Sequence, residues 1–180
     1  MAHRQALRQL QSRLAERLQA ARTDAAQAAS WLAVQAGAGN YLLPLAQVGE
    51  IFHWPGVLRV PYSQPWFWGV ANLRGNLMGV VDLCTFLGQP AERSEQSLME
   101  TSLLSVAPAL QVNVALVVDR LMGLRGVEDM SPQQLSPATT TTSTGVPGLG
   151  SWFTDQAAVP WRELNLQNLV HSQTFLQVRI

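Results

Sequence analysis

Short apolar runs separated by turns dominate the chain from position 31 onward. The turns contain Gly, Pro or Asn, which interrupt regular structure, and the runs are too short for ordinary helices. Many short strands at this spacing are typical of small sheets and barrels. The candidate strands cover 31–34, 41–45, 48–52, 103–106 and 112–118, with a last hairpin over 152–161. The pattern therefore predicts a mainly β domain.

The stretch 66–88, WFWGVANLRGNLMGVVDLCTFLG, predicts a strand, a tight turn, a second strand and one short helix. Gly75-Asn76 is the predicted loop, because Gly at the first central position suits a type II′ turn. This loop places Leu73 opposite Met78 and Ala71 opposite Val80, so that all four share one face. The predicted opposite face contains Val70, Asn72, Arg74, Leu77 and Val81. Both faces carry apolar residues, which indicates that both are covered.

The short helix of this stretch is predicted over 83–87. Asp82 precedes it, and Asp is a favoured N-cap residue. Gly88 follows it, and Gly is the favoured residue just past a helix end. Capping alone therefore accounts for Asp82, without any catalytic role.

An amphipathic helix is predicted over residues 4–29. Leu or Ala recurs every three or four positions, and neither Pro nor Gly interrupts the run. Five Arg residues outnumber Glu16 and Asp24, so the helix is basic. It can pack on its own domain, remain a solvated arm or bind a partner. Contact with an anionic membrane is less favoured, because no aromatic side chain anchors the apolar face.

We expect three parts in the chain: the basic helix at 1–29, a domain over 30–172, and a strand or tail at 173–180. Polar, acidic residues at 89–100 predict a loop. The Pro-, Thr- and Gly-rich stretch 131–150 also predicts a loop, because too little chain follows it to fold alone. A closing helix is predicted over 164–170.

Composition excludes several classes of function. Of 180 residues, 47% are hydrophobic and 13% are charged, which is enough to bury a core. The formal net charge is +0, so the whole chain has no electrostatic attraction to nucleic acid. All 12 basic residues are Arg, which excludes lysine-dependent chemistry. No apolar run reaches the ~20 residues of a membrane helix, and the N-terminus lacks a secretory signal, so a cytoplasmic location is expected.

Catalytic chemistry has little support in the sequence. Cys84 is the only cysteine, and the three His residues lack metal-ligand spacing. Cys84 and His53 are one conceivable nucleophile and base, but Cys84 lies in an apolar helix where a buried, inert thiol is expected. We therefore predict no enzyme activity, no cofactor and no metal.

Three groups of residues resemble a known family. The first is Gly69-Val70 with Asn72-Leu73-Arg74-Gly75 and Val81-Asp82-Leu83, the second is Pro44 with Val48, Glu50 and Ile51, and the third is the strand ending at Val118-Asp119. Together they resemble the CheW-like domain, the coupling module of bacterial chemosensory systems. The resemblance implies two small SH3-like five-stranded barrels that share a core, with an N-terminal α-helix and short connecting and C-terminal helices. The C-terminal region departs from the family, whose last strand is strongly apolar and followed by Asp-Leu.

The resemblance also implies a function and a site. Such a module connects the cytoplasmic tip of a methyl-accepting chemoreceptor to the regulatory domain of a CheA-type histidine kinase, without catalysis and without inserting into the membrane. By motif position, the expected partner-binding residues are Val48, Glu50, Gly69, Asn72 and Arg74. Two alternatives stay open: Arg74 can form an internal ion pair with Glu50, and Gly69 can simply allow close strand packing.

Within the family, the basic N-terminal helix and the wording WGVANLRGNL are most like coupling proteins of the type IV pilus system, which implies a role in twitching motility. A flagellar coupling protein of the same fold is the first alternative. The other two are the small Cys84–His53 enzyme, and a binder of nucleic acid or anionic lipid through the basic helix.

Overall fold

The computed structural model describes residues 31–89, 94–133 and 145–180, and the helix predicted over 1–29 lies outside them. The described residues form a mainly β structure of eleven strands, as the sequence predicts. The strands are β1 (Trp31–Ala36), β2 (Gly39–Pro44), β3 (Val48–His53), β4 (Phe67–Leu73), β5 (Asn76–Asp82), β6 (Ser102–Val106), β7 (Val114–Val118), β8 (Arg120–Arg125), β9 (Ser131–Gln133), β10 (Leu149–Thr154) and β11 (Pro160–Leu164).

The strands form two sheets. The first has six strands in the order β8-β1-β2-β11-β10-β9, and the second has five in the order β3-β6-β7-β5-β4. Each sheet contains one parallel pair, β11 with β2 in the first and β5 with β7 in the second, among antiparallel neighbours. Within the described ranges, four short α-helices connect or follow the strands, namely α1 (Leu83–Phe86), α2 (Glu95–Glu100), α3 (Leu166–Val170) and α4 (Gln173–Leu176).

A shared hydrophobic core lies between the two sheets. Alternate side chains of both sheets enter it, for example Leu32 and Val34 from β1 and Leu116 and Val118 from β7, and the short helices α1 and α3 complete it. The other face of each sheet packs into a smaller cluster of its own, as Ala33 does in the first sheet. Where both faces are buried, as in β7, the sequence of the strand is a continuous apolar run.

The two sheets repeat one connection. Each sheet contains an antiparallel hairpin, β4–β5 or β10–β11, whose second strand also pairs in parallel with a third strand. A short helix that packs in the shared core follows directly after that second strand. Asp82 caps the first of these helices by accepting from the Thr85 backbone N–H, and Asn165 caps the other by accepting from that of Asn168. Asn165-Leu166 therefore follows β11 as Asp82-Leu83 follows β5, and Asn and Asp cap helices equally well.

The central hairpin has a different register from the predicted one. Its loop is Arg74-Gly75 rather than Gly75-Asn76, so Leu73 pairs with Asn76 and Ala71 with Met78. From Gly69 to Leu73, each residue of β4 thus faces a partner two positions earlier on β5 than predicted. Side chains alternate with a period of two, so the predicted faces survive this shift. Ala71, Leu73, Met78 and Val80 do pack together in the cluster of the second sheet.

Two stretches predicted as loops contain regular structure, and the stretch predicted as a strand or tail contains a short helix. The acidic stretch 89–100 includes α2, whose N-cap Ser94 accepts from the Ser97 backbone N–H at 3.1 Å. The stretch 131–150 includes β9, a three-residue edge strand that gives the first sheet six strands rather than five. At 173–180 the chain forms α4, with Phe175 buried, and then a single bridge from Arg179 to Ser63 instead of a strand.

The two capping residues provide a test of this repeat. We expect Asp82→Ala to lower the free energy of unfolding by about 1–2 kcal/mol and Asn165→Ala by about 1 kcal/mol, because each leaves a helix N-terminus without its side-chain acceptor. Denaturant unfolding followed by circular dichroism measures both. Asn165→Asp is the matched control and should retain wild-type stability within about 0.5 kcal/mol. An equal loss in Asn165→Asp and Asn165→Ala would contradict the capping role.

Candidate partner-binding surface

The hairpin turn of the second sheet contacts the strand at the opposite edge of that sheet. β3 and β4 are the two end strands of the sheet, yet Arg74 Nη1 lies 2.5 Å from Glu50 Oε2 of β3. The Arg74 guanidinium carbon also lies 5.6 Å from the centre of the Phe52 ring. The sheet is therefore curled, and side chains rather than backbone hydrogen bonds connect its edges at this end.

A pair of indole rings joins the same two edges below the turn. Trp54 follows β3 and Trp68 belongs to β4, and their ring centres are 5.6 Å apart with the planes nearly perpendicular. Edge-to-face packing of this kind adds about 0.5–1.5 kcal/mol to the burial of the rings. Both rings pack against the cluster of the second sheet, so Trp54 and Trp68 are part of its hydrophobic packing.

Arg74 has a backbone conformation that Arg rarely adopts. Its φ is +51° and that of Gly75 is +88°, and positive φ at both central residues is the property of a type I′ turn. Asn72 stabilises the turn, because its Oδ1 accepts from the Gly75 backbone N–H at 2.8 Å. An L-residue with a Cβ pays roughly 1–2 kcal/mol for this conformation, whereas Gly adopts it without steric cost.

The internal contacts of Arg74 contribute a stabilisation of about the same size as that cost. The side chains of Arg74 and Glu50 are 72% and 58% exposed, and exposed ion pairs contribute about 0–1 kcal/mol. The contact with Phe52 adds about 0.5–1 kcal/mol at an exposed site. Gly or Asn would adopt the turn without that strain, so the turn conformation itself does not require Arg.

Hydrogen bonds fix the backbone of Glu50, whereas its carboxylate is largely exposed to solvent. Its N–H donates to Ser105 Oγ at 2.7 Å, and the Ser105 hydroxyl donates to the Glu50 carbonyl at 3.2 Å. The register of β3 against β6 shifts at this point. Gly49 allows it, because a Cβ there would overlap Ser105 Oγ. This local bulge turns the Glu50 side chain toward the hairpin turn.

The structure brings three of the five sequence-predicted site residues together: Glu50, Asn72 and Arg74. We call their neighbourhood the hairpin-tip surface and include Phe52 and Leu77, which faces Asn72 across the hairpin and is 65% exposed. Phe52 was not predicted, although its place two positions after Glu50 on one strand puts both side chains on the same side. Val48 lies at the start of β3, half-buried against the shared core.

Gly69 lies inside the protein instead. It is buried in β4 with φ of +136°, and a Cβ at this position would overlap the carbonyl oxygen of Leu58. Leu58 and Val70 exchange two backbone hydrogen bonds of 2.8 and 2.9 Å, which fasten the 54–66 crossing segment onto the hairpin. Close packing therefore explains Gly69, in agreement with one of the two interpretations of the sequence.

The Cys84 thiol does not form part of an open cleft. Cys84 is 1% exposed within the shared core and donates from Sγ to the Gln89 carbonyl, whereas His53 is exposed at the end of β3. Burial, reinforced by the nearby Cys84, raises the pKa of the Tyr41 hydroxyl above its ordinary value, so this phenol stays protonated at neutral pH.

Across 31–89, 94–133 and 145–180, no group of three or more His, Cys, Asp or Glu is placed to hold a metal.

The same ranges contain no helix long and apolar enough to cross a membrane.

Comparison with known proteins gives the class. The model of the CheW-like domain family matches residues 30–173, which is most of the chain. The chain belongs to the CheW-like domain family, and the resemblance carried by its motifs is confirmed. It is therefore a coupling or scaffold protein rather than an enzyme.

Two individual proteins show the similarity in more detail. The chain is 30% identical over 164 residues to Protein PilI of Pseudomonas aeruginosa, across 89% of this chain and 85% of that protein. The crystal structure of the scaffolding protein TtCheW from Thermoanaerobacter tengcongensis superposes with a TM-score of 0.63 and 17% identity, covering 81% of this chain and 94% of that one. The second likeness shows the fold.

Gly69 and Gly75 form a matched pair for testing the two roles of glycine in the hairpin. Both have positive φ, but a Cβ added at Gly75 would meet no other atom within 4 Å. We expect Gly69→Ala to cost more than about 2 kcal/mol of unfolding free energy, because strain and overpacking add. Gly75→Ala should cost only about 1 kcal/mol. Denaturant unfolding measures both, and equal losses would remove the packing explanation of Gly69.

Proposed function

We propose that this protein is a non-catalytic chemosensory adaptor that couples a methyl-accepting chemoreceptor to a CheA-type histidine kinase. Its role is to hold the kinase in a defined position relative to the receptor tip, so that a signal passes by geometry rather than by chemistry. Family membership supports this assignment, and the burial of the Cys84 thiol away from His53 agrees with it. A cytoplasmic location, with recruitment to receptors in the membrane, belongs to the same proposal.

The system in which it acts is the one that controls type IV pilus twitching motility. The similarity to Protein PilI covers 89% of the chain, more than the domain match alone, and it supports this choice over a flagellar coupling protein of the same fold. The flagellar alternative predicts binding to a different kinase, which the experiment below distinguishes.

The single observation that carries the site is the exposed, strained Arg74 beside Glu50. A strained conformation persists only where the surrounding structure enforces it, and it is a common property of binding sites. The Arg74–Glu50 pair presents both a donor fork and a carboxylate to a partner, and Leu77 and Phe52 supply apolar surface around the charges. Arg is also enriched at the residues that dominate binding energies. The proposed contact is therefore the hairpin-tip surface, with Val48 supporting the start of β3 and Gly69 supporting the hairpin from within.

Replacing Arg74 by Asn separates binding from stability. Asn tolerates positive φ, so Arg74→Asn should unfold at the wild-type denaturant concentration or slightly above it. The variant loses the cation, and we expect its affinity for the kinase regulatory domain to fall about tenfold, equivalent to about 1.4 kcal/mol. Calorimetric titration against the regulatory domain of the pilus-type kinase from the same genome measures the affinity.

Two comparisons make the titration decisive. Arg179→Asn removes an exposed arginine near the chain end and should leave the affinity unchanged. Glu50→Gln with Arg74→Asn completes a double-mutant cycle that separates the internal pair from contacts with the partner. Wild-type affinity in Arg74→Asn would overturn the proposed site. Wild-type protein that binds only the flagellar kinase would overturn the pilus assignment.

A further inference from the structure

Exposed apolar side chains lie together on the crossing segment and on the residues that pair with it. Leu58, Val60 and Tyr62 of the crossing segment are 74%, 39% and 83% exposed, and Ile180 is 78% exposed. The Ile180 backbone N–H donates to the Tyr62 carbonyl at 3.2 Å, which places the two segments side by side. We call these four residues the Tyr62 surface. Single apolar residues are normal on a protein surface, but an adjoining group of them marks an interaction site.

The backbone of Tyr62 is strained. Pro61 and Tyr62 form a turn, and the φ of Tyr62 is +56°. Gly or Asn usually takes such a turn position, and positive φ is a true outlier for a bulky side chain. Packing does not offset this strain, because the Tyr62 ring is largely exposed and belongs to none of the hydrophobic clusters of the described residues. Strain that the surrounding structure enforces is a common property of binding sites.

Contacts on both sides of the crossing segment enforce this conformation. On one side, the segment exchanges backbone hydrogen bonds with β4. On the other side, the Gln64 backbone N–H donates to the Val178 carbonyl at 2.7 Å. Phe175 anchors this second contact, because it is buried and stacks on Trp66 with the ring centres 5.7 Å apart. Tyr62 is therefore presented by a segment that hydrogen bonds and packing hold in place.

The charges at the Tyr62 surface are positive. Arg59 and Arg179 are both exposed, and each directly precedes one of the apolar residues of the surface. Neither the crossing segment nor residues 173–180 contain an acidic residue. A symmetric contact between two copies of this surface would bring like charges together, which disfavours a dimer through it. A partner surface with carboxylates around an apolar centre is complementary to it.

Tyr62 and the hairpin-tip surface lie at opposite ends of β4. Ser63, next to Tyr62, donates from Oγ to the carbonyl of Phe67, the first residue of β4, whereas Arg74 follows the last residue of that strand. The seven residues of β4 span about 23 Å when extended. The two surfaces therefore have room for two partners at the same time.

We propose that the Tyr62 surface is a second docking surface of the adaptor, for a protein partner whose apolar contact side chains are flanked by carboxylates. The assignment rests on the proposed function, which requires separate contacts for a kinase and a receptor. The hairpin-tip surface takes the kinase, so the cytoplasmic tip of the chemoreceptor is the partner at the Tyr62 surface.

Calorimetric titration of the full chain with the cytoplasmic fragment of the pilus-type chemoreceptor from the same genome tests the proposal. Tyr62→Asn removes the ring, and because Asn tolerates positive φ, the variant should unfold at the wild-type denaturant concentration or above it. We expect its affinity for the receptor fragment to fall about tenfold. Its affinity for the kinase regulatory domain should change less than about twofold, because that contact lies at the other end of β4. The matched control is Met122→Asn, which replaces an exposed apolar residue of the first sheet and should bind the receptor fragment as the wild type does.

The charge of the partner is tested separately with Arg59→Gln combined with Arg179→Gln. The affinity of the wild type for the receptor fragment should fall as the salt concentration rises, and this double variant should show a weaker dependence on salt. A wild-type affinity that does not change with salt would overturn the assignment of a partner with carboxylates.

The remaining outcomes separate this docking surface from the proposed function. Wild-type receptor affinity in Tyr62→Asn, or a wild type that binds the kinase domain but not the receptor fragment, would overturn the docking surface and leave the adaptor role standing. A folded wild type that binds neither probe would overturn both. Self-association of the wild type that Tyr62→Asn abolishes would overturn the docking surface and assign it to a second copy.

Discussion

Burial of both faces of the central strands in the two sheets is the constraint on which the rest of this structure depends. Each sheet contributes one face to the shared core and closes the other over a small cluster of its own. A strand such as β7 therefore has every side chain buried, and at about 25 cal/mol per Å² of apolar surface this burial is the main favourable term. The short helices α1 and α3 fit because each contributes its apolar residues to the same shared core.

The buried core supports the turn that carries the proposed partner-binding surface. Arg74 is held at positive φ by a turn whose two strands are anchored in the core, with Asn72 completing the turn. Its ion pair with Glu50 bridges strands that share no backbone hydrogen bonds, because they lie at opposite ends of the strand order. Charges placed on such a support lose little conformational freedom when a partner binds, which favours affinity through preorganisation.

The end strands of the two sheets are held by different contacts. In the second sheet, the turn at Arg74 and the Trp54–Trp68 contact draw β3 and β4 together. In the first sheet, Asp155 in the β10–β11 turn accepts from the backbone N–H groups of Val159 and Ala157 and from the Trp161 indole. These hydrogen bonds, led by the one from Val159, lower the pKa of Asp155 below its ordinary value, and Arg125 of β8 adds to the effect. In each sheet, opposite charges thus link a hairpin turn to an end strand. The turn carries the cation Arg74 in the second sheet and the anion Asp155 in the first, and the end strand carries Glu50 or Arg125.

The sequence by itself determined the mainly β class, the family, the capped helix after Asp82, and which side chains share a face of the central hairpin. These properties depend on local spacing and on residue chemistry, which the chain carries in order. Only the tertiary structure decided the loop at Arg74-Gly75, the burial of Gly69 beneath Leu58, and the capping role of Asn165. The physical reason is that a hairpin can shift by two residues without changing its faces. The choice between such registers depends on groups distant in sequence, such as Glu50 for Arg74. Whether a glycine contacts a partner or allows close packing also depends on distant groups, such as Leu58 for Gly69.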